Sequence, residues 1–173
     1  GLAVPAGDFP ALAEHLDVII AEDAPDRFNQ VTRPILEQLG LSWNEALRLA
    51  MWNLPQIDPG FAADLPFVQR EGGYWVYSSP PSELFTSWLL FPEKVRRLAV
   101  KGKHVAFVPK ASLLAITGTD DVPALQQLIA KTCDALRKPE GRSVSAVPFV
   151  LEASAWRPWL PPPSHPLYWA IKE

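Results

Sequence analysis

Three histidines, a single cysteine and a few clustered carboxylates are the first places to look for chemistry in this sequence. His104 opens an apolar run beside Lys103, and a carboxylate such as Asp120 or Asp121 would make it a general base if the fold brought them together. His15, His104 and His165 are scattered, with no H-E-x-x-H or comparable spacing, so a surface histidine is the plainer reading of His104. Glu22, Asp23 and Asp26 crowd one acidic stretch, and hard cations prefer carboxylate oxygens. That stretch lacks the alternating ligands and central glycine of a calcium loop, which leaves a solvated loop or a partner-facing patch. Cys133 can form neither an internal disulfide nor a cysteine zinc site, and its helical phase reads as a buried core position in a reducing compartment. No G-x-S-x-G elbow, phosphate loop or G-x-G-x-x-G fingerprint occurs. No catalytic residue, metal site or cofactor is therefore assigned.

Two further groups suit binding rather than catalysis. Lys94, Arg96, Arg97, Lys101 and Lys103 form a local basic cluster that would meet phosphates or an acidic partner, although a solvated helix face is the usual outcome. Trp156, Trp159 and Trp169 lie in the tail WRPWLPPPSHPLYW, which reads as extended polyproline in part, either a partner ligand or a strap across the domain. Exposed tryptophans are costly unless a partner covers them.

The elements that must position these groups are clearest between Lys103 and Leu136. Val105 to Val108 and Leu113 to Ile116 read as strands covered on both faces, with Pro109 ending the first. Thr117-Gly118-Thr119-Asp120-Asp121 then reads as a helix start, with an aspartate cap and Pro123 in the first turn. Val122, Leu125, Leu128, Ile129, Cys133 and Leu136 recur at helical spacing.

Upstream, residues 1–15 read as a leading arm, whose last residues could open with a helical turn, and Leu16 to Ala21 as a strand. Glu22 to Gln30 follows as an acidic loop, and Thr32 to Gly40 as a short helix. Ser42 and Glu45 make a capping box for a helix with Trp43, Ala46, Leu47, Ala50, Met51 and Leu54 on one face, ended by Pro55. Gln56 to Pro66 reads as loop. Phe67–Arg70 and Tyr74–Ser78 flank a glycine turn and read as a hairpin. Residues 83–91 suit helix or strand equally, and Pro92 starts a short helix with Val95 and Leu98 inward. Val144 to Leu151 reads as an edge strand because Pro148 lies within it.

At 173 residues the chain suits one domain, and 48% hydrophobic with 20% charged residues is globular composition. Proline, at 19 residues, is about twice its usual share of roughly 5%, so short elements and rigid connections are expected. A net charge of −3 argues against a dedicated nucleic-acid binder. No stretch reaches the roughly 18 apolar residues of a membrane span, and no signal pattern opens the chain, so no membrane contact and a cytoplasmic location are expected. Gly1 in place of methionine suits a fragment or a tag remnant.

Ala50-Met51-Trp52-Asn53-Leu54, Leu89-Leu90-Phe91-Pro92, Val105-Ala106-Phe107-Val108-Pro109 and Thr117-Gly118-Thr119-Asp120-Asp121 follow one another in this order. This layout resembles the YtpQ-like family of bacterial proteins, a domain of unknown function, from about Leu16 to Leu151. The resemblance implies a cytoplasmic bacterial α+β protein without an established activity. The expected architecture is α+β: a mostly antiparallel sheet with helices chiefly on one face over residues 16–151, and an aromatic, proline-rich extension over 152–173 packed on it. The expected function is a non-enzymatic protein-binding module, regulatory or immunity-like, with a protein partner. The alternatives are an enzyme using His104 with Asp120 or Asp121, and a weak nucleic-acid binder using Lys94 to Lys103.

Overall fold

The computed structural model describes residues 11–14, 16–24, 27–63, 66–77 and 84–172. Its centre is the strand pair β7 (His104–Lys110) and β8 (Leu113–Gly118), in which every position after the first is buried. Strands so uniformly apolar need cover on both faces, and both are covered. A six-stranded antiparallel sheet runs in the order β10 (Ala155–Pro158), β9 (Phe149–Glu152), β7, β8, β6 (Trp75–Tyr77), β5 (Phe67–Gln69).

Alternation along the strands divides the core. Val105, Phe107, Ala115 and Val150 face α4 (Val122–Arg137) through Ala124, Leu125 and Leu128, and α5 (Tyr168–Lys172) adds Ile171 at the margin. Ala106, Val108, Leu114, Ile116, Phe149 and Leu151 face the opposite layer, built from the 3-10 helices Pro59–Ala62 and Phe85–Leu90 and from α3 (Pro92–Val95). Trp88, fully buried there, stacks on Phe61 at 4.9 Å and meets the edge of Phe67 at 5.3 Å. The fold class is thus α+β, as expected, with the long helix α4 on one face and short helices on the other. The segment that suited helix or strand equally is 3-10 helix from Phe85 to Leu90.

A smaller unit precedes the sheet. The hairpin β3 (Ala21–Ala24) and β4 (Arg27–Gln30) joins α1 (Arg33–Leu39) and α2 (Trp43–Ile57) around Ile20, Leu36 and Ala46. Gly40, at φ 65°, ends α1 in the left-handed conformation that glycine adopts without a Cβ clash. The Ser42–Glu45 capping box then starts α2.

Several expectations are corrected. The single strand over Leu16–Ala21 is two pieces: β2 (Leu16–Asp17) pairs with β1 (Ala11–Ala13), and β3 begins at Ala21. The arm therefore contributes a strand rather than a helical turn, and Ala13 and Leu16 reach the main core. The acidic loop is a hairpin, because Glu22 and Asp23 pair across to Asn29 and Phe28. Pro55 lies inside α2, where its missing amide costs one bond in the last turn and Asp58 N–H closes the helix on Leu54 O. Pro109 lies inside β7, at the register irregularity between Phe107 and Lys110, where a missing donor is tolerated. Pro148 precedes β9, an internal strand held by β7 and β10. The edge is β10, which ends at Pro158. The start of the tail is therefore sheet, with β10 pairing on β9. Cys133 is exposed: the buried stripe of α4 runs through Ala124, Leu125, Leu128 and Thr132, one step away from the expected phase.

Candidate functional site

The His104 region was the strongest sequence candidate for chemistry. Strand pairing sets His104 opposite Gly118, and Thr119 N–H returns to Lys103 O at 2.8 Å, so histidine and aspartates do share one end of the sheet. Their side chains are committed elsewhere. His104 Nε2 contacts Leu98 O at 2.9 Å. Asp121 Oδ1 caps α4 at Ala124 N–H, and its other oxygen pairs with Lys101 Nζ at 3.1 Å. Asp120 accepts from the Thr119 hydroxyl. The carboxylate that shares a surface cleft with His104 is instead Glu152, alongside Arg96 and Lys103. Lys103 Nζ lies 2.6 Å from Glu152 Oε1, and this bond, then the lysine charge, holds the Glu152 carboxyl below its usual range. An acid held ionised beside an ammonium is an ion pair rather than a poised acid or base.

Members of the basic cluster have different surroundings. Lys94 Nζ turns inward to Phe61 O at 3.0 Å and lies over the Trp88 and Phe91 rings. Lys101 and Lys103 are paired as above, and Arg97 has an interaction partner. Arg96 lines the cleft.

Among the other sequence candidates, Glu22 is exposed and accepts from Asn29 Nδ2 at 3.3 Å, the side chain of Asp23 lies outside the description, and Asp26 and His15 lie outside the described residues. Among the described residues no group of His, Cys, Asp or Glu could hold a metal ion. Trp156 is buried and donates its indole N–H to Leu89 O at 2.9 Å, so it anchors β10 to the core. Trp159 packs against the α4 side of the sheet. Trp169 stays 64% exposed, with its ring beside Tyr168 and under Lys172.

The most exposed tryptophan with an apolar neighbour on the same helix face was not singled out from sequence. Trp52 on α2 is 76% exposed, and Leu49, three residues earlier on the same side, is 51% exposed. The inner stripe of α2 follows the predicted positions, with Ala46 and Leu54 buried, so Leu49 and Trp52 are apolar residues outside it. That mismatch was the available signal. No described helix is long and apolar enough to cross a membrane. Comparison of the chain with protein-family models, with curated proteins and with solved structures gives no match.

Proposed function

We propose that this chain is a non-enzymatic protein-binding module, regulatory or immunity-like in type, and that the outer face of α2 is its contact surface. The observation that carries this reading is the exposure of Trp52 next to Leu49. Tryptophan is the side chain most enriched at the energetic centres of protein interfaces, and a large apolar ring held in water is unfavourable until a partner covers it. The α1–α2 unit has its own small core at Ile20, Leu36 and Ala46, which holds the helix without using that face. Commitment of His104 to Leu98 O supports the same reading over a general-base enzyme.

The test is capture from native lysate with the wild-type chain and with Trp52→Ala in parallel, followed by reconstitution of any partner with purified protein. The expected result is one stoichiometric partner whose binding falls at least tenfold in the variant. A partner bound equally by both, or no partner for a chain that sediments as a monomer, contradicts the reading.

A further inference from the structure

On the sheet face opposite the Trp88 layer, Leu128, Lys131 and Thr132 of α4 border the strands. A groove of 290 Å³ opens there, near the lower end of the size range of small-molecule sites. Its apolar lining includes Val76, Phe107, Leu113, Ala115 and Leu128. Two polar residues that are otherwise buried also line it: Tyr74 at 6% and Thr132 at 7% exposure. Among the described residues neither hydroxyl has a hydrogen-bond partner, so both are open to a ligand in the groove. Arg70 and Lys131 line the same groove from exposed positions, and among the described residues neither is paired with a carboxylate. The nearest acid along α4, Asp134, is paired with Arg137 at 3.2 Å. Two cations without a carboxylate partner therefore line one groove in a chain whose net charge is −3.

We propose that this groove binds a small anion with an apolar body, its carboxylate or phosphate head met by Arg70 and Lys131 and the Tyr74 and Thr132 hydroxyls, and its body laid against Val76, Phe107 and Ala115. The chemistry follows from the lining. Apolar walls favour a hydrocarbon or aromatic body, a few polar groups fix its orientation, and cations without partners select the sign of the head group. A cationic amphiphile of the same size would satisfy the walls and be repelled at the mouth. The site is independent of the α2 surface, since Leu54 of α2 belongs to the core layer on the other side of the sheet.

The test is a titration of the isotopically labelled full chain, followed through amide shifts, with hexanoate, phenyl phosphate and hexylammonium as probes. Saturable shifts at Tyr74, Ala115 and Thr132 are expected with at least one anion and not with hexylammonium. Response to hexanoate alone assigns the head group as carboxylate, and response to phenyl phosphate alone assigns it as phosphate. Replacing both cations, Arg70→Gln with Lys131→Gln, is expected to weaken binding roughly tenfold, as loss of two partly exposed charge contacts implies. Both side chains are exposed, so the variant keeps the fold. Thr132→Val, which removes only the hydroxyl, is expected to weaken binding a few-fold. An equal response to hexylammonium, unchanged affinity in the double variant, or no saturable shift with either anion overturns the proposal.

Discussion

The Tyr77 hydroxyl donates to Asp58 Oδ2 at 3.0 Å, joining the aromatic hairpin of the sheet to the cap of α2. Asp58 also accepts from Gly60 N–H at 2.9 Å, which starts the 3-10 helix that carries Phe61 into the core. Both Asp58 and Tyr77 are buried, so loss of the bond removes a charge-assisted contact from a place shielded from water. Tyr77→Phe is expected to cost about 1–3 kcal/mol in urea unfolding. A Cβ at Gly60 would overlap the Tyr77 hydroxyl, so Gly60→Ala should be less damaging in the Tyr77→Phe background than alone. Additive costs in a double-mutant cycle would show that the two positions do not meet.

Gly118 makes a second close approach. A Cβ there would strike the Lys101 carbonyl, which is main chain and cannot rotate away. Gly118→Ala is expected to destabilise by about 1–3 kcal/mol through overpacking. Because Asp120 N–H bonds to Lys101 O in the same turn, amide exchange should quicken at Asp120.

The start of α2 gives a pH-dependent prediction. The Ser42 hydroxyl, and next its backbone amide, hold the Glu45 carboxyl below its usual range. A depressed carboxyl contributes stability that is fully present above the ordinary carboxylate pKa and is lost as pH falls through the lower, folded value. Ser42→Ala should cost about 1 kcal/mol at neutral pH, and the gap between variant and wild type should narrow below about pH 4. A gap that stays constant between pH 7 and pH 3 would show that Glu45 takes no part in the cap.

The turn between β9 and β10 carries local strain. Ala153 has φ 49°, in the left-handed region that costs an alanine about 1–2 kcal/mol. Asparagine tolerates that conformation better, so Ala153→Asn should raise stability by about 1 kcal/mol in thermal unfolding. A lowered melting temperature would contradict this.

Local signals in the sequence located most elements, and long-range ones were harder to see. The Ser42–Glu45 box, the Gly40 stop, the Gly72-Gly73 hairpin turn and the Asp121 cap are interactions within a few residues, so the sequence displays them directly. Prolines misled where tertiary pairing decided. Pro109 suggests a strand end by its missing donor and is instead accommodated by a register irregularity, and Pro148 suggests an edge although β10, from the tail, covers β9. Helical spacing alone puts Cys133 in the apolar stripe, but Ile129 and Cys133 lie at its border, and the sheet takes Leu125, Leu128 and Thr132 instead. At the sites, the pairing of His104 with Gly118 places the histidine at the same end of the sheet as Asp120 and Asp121, which the sequence alone does not show. The hydrogen bonds that occupy these side chains come from Leu98, Ala124 and Thr119 and depend on the folded backbone. The groove of Arg70 and Lys131 joins a hairpin turn to a helix about 60 residues away, a pairing that periodicity does not report.

Site-specific photocrosslinking in living cells tests the central claim most directly, with the photoreactive residue at Trp52 in one variant and at exposed Glu140 in a control. Trp52 is exposed, so its replacement should change unfolding free energy by less than about 0.5 kcal/mol and leave the fold intact. The account predicts one discrete heteromeric adduct from position 52 and none from position 140. The absence of an adduct at position 52, or the same adducts from both positions, would contradict it.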